Sequence, residues 1–210
     1  MDKAEVIDIF RQYFLGWMCQ DIENCIKGKA NFAVAALLMS YSENVGALME
    51  GHLGLSRTSA QDFRKFLEHL DFNGNADYYK NFRINYQEPP SSAIKTVDIY
   101  TAFRCGLIHE YAPQVSCIIE NHSDDINHFE KTDPGIGWHT PGSTNGYSGQ
   151  SGYMPPTSPK ALTLRFHTNA YFRDFKNALN KIYQNISRDA ALLKNIQKSL
   201  ERVLNRKLII

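Results

Sequence analysis

Arg104 and His109 carry the most pointed chemistry in this chain. They stand in the run Arg104, Cys105, Gly106, Leu107, Ile108, His109, Glu110, Tyr111, an R-x4-H-x-Y pattern followed closely by Pro113. Arg is a permanent cation whose fork of donors matches a phosphate. His is the side chain best suited to move a proton near neutral pH. Together they are what metal-independent RNA cleavage needs. The imidazole could deprotonate the 2′-hydroxyl or protonate the leaving oxygen, while Arg stabilises charge growing on the phosphate. Tyr111 would line the same site, and Glu43, Cys105 and Glu110 are candidate supporting residues. A structural role stands beside this reading. Arg104 could pair with Glu43 inside a bundle, and His109 could sit at a helix end where the dipole favours a cation.

Spacing sets a condition on the chemistry. On a straight helix, residues five apart differ by about 140° and ~7.5 Å of rise. Arg104 and His109 would then face different ways, unless the last turn loosens at Gly106 or two chains bring their motifs together.

The elements that must position the run are mostly helical. Apolar periodicity predicts a first helix over 4–26 with Val6, Phe10, Tyr13, Phe14 and Trp17 on its stripe. A second, small-sided helix from Asn31 to about Met49 carries Glu43 and buries Val34, Leu37, Leu38, Tyr41, Val45 and Leu48. A shorter one starts near Thr58 and buries Phe63, Phe66, Leu67 and Leu70. After Pro89-Pro90, Ser91 or Ser92 would cap the helix of the motif, carrying Ile94, Val97, Tyr100, Arg104, Leu107, Ile108 and Tyr111. Residues 114–120 and 161–167 alternate or are β-branched, so they read as the two strands of a hairpin. The 122–160 segment between them is a long polar loop rich in Gly, Ser and Pro, expected to be poorly ordered. Two helices close the chain over 169–204. The expected fold is mainly α: a helical bundle with a two-stranded β-hairpin and a long polar loop, in one domain over 1–210.

The octet from Arg104 to Tyr111 resembles the HEPN superfamily, helical bundles marked by R-x4–6-H at the end of a late helix, many of them ribonucleases. The R-x4-H-x-Y form is similar to HEPN toxins that pair with a nucleotidyltransferase-type antitoxin. The resemblance implies a metal-independent ribonuclease, the toxin of a toxin–antitoxin or defence system, with Arg104, His109 and Tyr111 catalytic. It also implies RNA as substrate, a homodimer with a composite cleft, and Tyr111 as a site that the partner enzyme modifies with AMP. Cys105 stands where the family usually has Asn, Asp or His. That departure favours an alternative: a catalytically silent HEPN-like module binding nucleotide, RNA or a protein partner.

Composition narrows the rest. The chain has 210 residues, balanced charge (net +1) and 43% hydrophobic residues, enough for a sizeable core. No run of eighteen or so uncharged apolar residues appears, and the mixed-charge start is unlike a signal peptide, so no membrane and a cytoplasmic location are expected. Cys19, Cys25, Cys105 and Cys117 form no CxxC pair and read as reduced thiols. His122, His128 and His139, with Asp124, Asp125 and Glu130, match no ligand spacing, so no metal and no cofactor are expected. The stretch from Lys160 onward holds eleven Lys and Arg against three acids. This basic segment could take an anion such as RNA, or dock on an acidic neighbour.

Overall fold

The computed structural model describes residues 1–87, 90–110, 112–120, 134–139 and 163–205. Within them the chain is mainly helical. A continuous helical rod opens it: α1 (Lys3–Ile9), a π-helical segment (Phe10–Met18) and α2 (Cys19–Lys27). Asp2 starts the rod with a capping box, accepting from the Glu5 amide while Glu5 accepts from its own. The π segment changes which residues face inward. Val6, Phe10, Phe14, Cys19 and Ile22 are buried, whereas Tyr13 and Trp17 are 45% and 50% exposed. The wider turns rotate those two out of the regular helical stripe expected for them, and they pack on each other outside.

Central to the bundle is α3 (Asn31–Met49), which touches the opening rod, α4 (Ser59–Leu67) and both C-terminal helices. Among the described residues, α3 alone is long and apolar enough to cross a membrane, but 56% of its apolar window is buried among its neighbours, as in a core helix. Gly46 lets α3 and α4 touch backbone to backbone: a Cβ there would overlap the Asp62 carbonyl. The closing helices are α7 (Thr168–Ile186) and α8 (Ala190–Leu204), close to expectation. Three of their basic residues meet acids or carbonyls of the body. Lys176 pairs with Glu23 and Lys181 with Asp71, both at 3.0 Å, and Arg202 donates to the Gly51 and Leu53 carbonyls. Docking on an acidic neighbour accounts for the two lysines.

The strands differ from expectation. Between α5 (Tyr78–Asn81) and the motif lies an antiparallel pair, β1 (Ile84–Gln87) and β2 (Ile94–Val97). Ile94 and Val97 therefore sit on a strand, not on the helix of the motif. The β-branched run Ile94, Thr96, Val97 finds partners in Ile84–Gln87, and that pairing outweighs helical periodicity. The helix starts instead behind Asp98, whose carboxylate accepts from the Thr101 amide at 3.0 Å. The 114–120 and 161–167 segments do form strands, β3 (Cys117–Glu120) and β5 (Thr163–His167), but not a hairpin. They run parallel, and β4 (Ile136–His139) lies antiparallel on the far side of β5, giving the order β3-β5-β4. Alternation identified the strands without identifying their partners. The expected 122–160 loop thus contributes β4 and the two residues before it, Pro134 and Gly135, and its other residues lie outside the described ones.

A buried polar node ties this sheet to the bundle. The Tyr79 hydroxyl donates to Asp174 at 2.5 Å and accepts from the Gly135 amide at 2.7 Å. Burial holds the Asp174 carboxyl above its ordinary range, while Arg173 and Tyr79 pull it down. A carboxyl raised in the folded state contributes stability below its unfolded pKa, and loses it as pH rises through the folded value. Asp174→Asn should therefore gain in melting temperature over the parent chain on going from about pH 4 to about pH 8. Thermal melts at both pH values check this, and a difference that shrinks toward pH 8 contradicts it.

Candidate active site

The motif lies on a second π-helical segment (Tyr100–Cys105) that runs into α6 (Gly106–His109). Arg104 lies near the end of the π segment and His109 at the end of α6, and the two side chains meet: Nη1 of Arg104 lies 3.2 Å from Nε2 of His109. The separation expected around a straight helix is not what the structure shows. One chain suffices to assemble the pair, so the geometric reason for needing two is gone. The path folds back at once after His109. The Gln114 amide bonds to the Ala102 carbonyl at 2.9 Å, and Gly106 touches residues 112–114 so closely that any Cβ would overlap them.

Glu43 of α3 grips Arg104 from the side. Nε lies 2.5 Å from Oε2, Nη2 donates to Oε1 at 3.2 Å, and both side chains are 14% exposed. This uses the Nε edge of the guanidinium and one hydrogen of Nη2, while one hydrogen of Nη1 faces His109. Each terminal nitrogen keeps a second hydrogen, on the end of the fork. Glu43 therefore orients Arg104 without closing its terminal edge to a phosphate. His109 is exposed and accepts through Nε2, which requires the tautomer carrying its proton on Nδ1.

Tyr100 and Cys105, also five apart, are neighbours. Burial raises the Tyr100 phenol above its ordinary value, Cys105 beside it adds to the rise, and Arg104 opposes it. The Tyr100 ring has two guanidiniums around it: Arg104 at 5.9 Å and Arg64 at 5.6 Å from its centre. Cys105 thus contacts an aromatic neighbour, not the open end of the Arg104 fork. Glu110 is exposed and accepts from Gln114 at 3.4 Å, so it is not gathered with Arg104. Tyr111 lies outside the described residues. Arg64 and Tyr100 were not picked out by the motif. The four-residue step from Tyr100 to Arg104 is the one signal for Tyr100, and none in the sequence links Arg64.

A cleft of about 500 Å³ lies elsewhere. Asp71, Asn73, Arg173, Asp174, Asn177 and Lys181 are among its walls, and no motif residue is. Among the described residues no three His, Cys, Asp or Glu side chains gather as metal ligands. No family model, curated protein or solved structure matches this chain.

The two motif residues should differ sharply in stability. Arg104→Ala strands the Glu43 carboxylate at 14% exposure, and should cost about 2–4 kcal/mol, a little under the range for fully buried pairs. His109→Ala removes an exposed ring and should stay within about 0.5 kcal/mol of the parent. Urea titration separates the two, and equal destabilisation contradicts the burial asymmetry.

Proposed function

We propose that the chain is a HEPN-like, metal-independent endoribonuclease whose acid/base is His109 and whose phosphate-binding cation is Arg104. The observation that supports it is the 3.2 Å approach of the two side chains where the π segment runs into α6, with Arg104 braced by Glu43 through the other edge of its fork. In the reaction a 2′-oxygen attacks the adjacent phosphorus and its proton passes to a base. The bond to the 5′-oxygen breaks, that oxygen takes up a proton, and a 2′,3′-cyclic phosphate remains. Arg104 offsets negative charge on the non-bridging oxygens, and His109 handles a proton at one end of the displacement.

Incubating purified protein with single-stranded RNA in EDTA tests the proposal. Cyclic or 3′-phosphate ends together with 5′-hydroxyl ends are expected. Dependence on a divalent metal, or 5′-phosphate products, overturns it. A homodimer and a nucleotidyltransferase-type antitoxin belong to the same proposal through the motif's resemblance. Tyr111→Phe should then keep cleavage yet resist silencing by a partner that places AMP on the tyrosine. Adenylate found by mass spectrometry at another residue argues against that role for Tyr111.

A second reading has an observation of its own. The Glu43–Arg104 pair would look the same in a module that has lost catalysis and kept the pair for packing. Cleavage that survives His109→Ala, or a wild type without cleavage, favours this silent module.

A further inference from the structure

Arg64 sits on α4, forty positions before Arg104, yet both guanidiniums flank the Tyr100 ring, at 5.6 and 5.9 Å from its centre. The separations lie within the range over which a cation is drawn to an aromatic ring. Arg64 is 54% exposed and reaches Asp98 through its Nε edge at 2.6 Å. Asp98 is itself held, since it accepts from the Thr101 amide at the start of the motif's helix. Its carboxyl is pushed down by the Thr101 amide and by Arg64, against the opposing pull of burial. Asp98 thus fixes Arg64 to the helix that carries Arg104 and takes only one edge of its fork. The terminal Nη edge of Arg64 is left toward solvent, as the terminal edge of Arg104 is left by Glu43. Two braced guanidiniums, each offering its end edge and sharing one ring, match two successive phosphates better than one.

We infer that Arg64 forms a second phosphate subsite. It holds the backbone phosphate next to the one at Arg104, on single-stranded RNA, with Tyr100 as a positioning residue for both cations. The inference rests on the proposed RNA-cleaving site for the identity of its ligand. Arg64 touches no reacting atom, and its contribution lies in binding and in placing the strand.

The test compares two uncleavable 2′-deoxy probes, a dinucleotide with one internal phosphate and a trinucleotide with two, by fluorescence anisotropy. Arg64→Ala should weaken the trinucleotide at least about fivefold at low salt, and lower the slope of log affinity against log salt by about 0.7. The dinucleotide should be unaffected. Arg64→Lys, which keeps a point charge without the fork, should recover the salt slope. Tyr100→Phe should behave as wild type and Tyr100→Leu as a milder Arg64→Ala. Equal weakening of both probes, or none of either, overturns the second subsite. Failure of the catalytic reading looks different: RNA stays intact, while the two probes are still told apart in an Arg64-dependent way. A wild type that binds neither probe overturns both.

Discussion

His109→Ala should lower single-stranded RNA cleavage in EDTA by at least about 100-fold, the scale of a lost acid–base group. The melt should barely move, because the ring is exposed and its one hydrogen bond among the described residues is to Arg104. That combination separates chemistry from folding. Arg104→Ala should cost as much rate but also stability, since it strands Glu43. The clean comparison for Arg104 is therefore with Glu43→Gln. The amide keeps an acceptor near the guanidinium while removing the opposing charge, so cleavage should fall less than about tenfold. If His109→Ala retains more than about a tenth of the wild-type rate, the imidazole is not moving the proton, and the site must be read as packing.

A large effect on stability is expected at a residue that has no side chain. Gly46→Ala drives a methyl into the Asp62 carbonyl, backbone against backbone, where no side-chain rotation can relieve the clash. Overpacking of this kind costs about 3 kcal/mol, a fall of roughly 6–12 °C in a chain of this size. The consequence reaches the site, because α3 carries Glu43 and α4 carries Arg64. Separating the helices moves one brace of Arg104 away from the other cation. Calorimetry with a parallel cleavage assay should show both losses, and an unchanged melting temperature would mean that the helices are not in this contact.

How far the sequence reaches can be judged from particular elements. Apolar periodicity located α4 and both closing helices because each has one wet face and one buried face, whereas α3 was found by its length of small and apolar residues, and its end is buried on every side over 45–49. Periodicity misread Tyr13 and Trp17 because it assumes the α-helical turn, and both lie in a π-helical segment that shifts which residues face inward. It also missed the reach of Arg104 toward His109, because facing angles along a helix leave out how far a long side chain extends. The pairing of β3 with β5 was hidden for another reason. Alternation reports which face is buried, but the partner strand is chosen by tertiary contacts, and β4 comes between the two in the chain. Arg104, His109 and Glu43 were legible as types suited to a phosphate and a proton, and the pairing of Arg104 with Glu43 was anticipated as a structural contact. Arg64 was not legible, since nothing local marks an exposed arginine as the neighbour of a ring far along the chain.

The central claim is that one chain aligns a proton carrier and a cation for attack by a 2′-oxygen. It is tested most directly by a single atom of the substrate. Two RNA oligonucleotides, identical except for 2′-deoxy sugars at the cleaved positions, are incubated with wild-type protein in EDTA, and their products are resolved at single-nucleotide length. The account predicts cleavage of the all-ribo strand to a cyclic phosphate, with the deoxy-substituted positions left intact. Equal cutting of both strands would contradict it, because the nucleophile would then be something other than the 2′-oxygen that Arg104 and His109 are placed to serve.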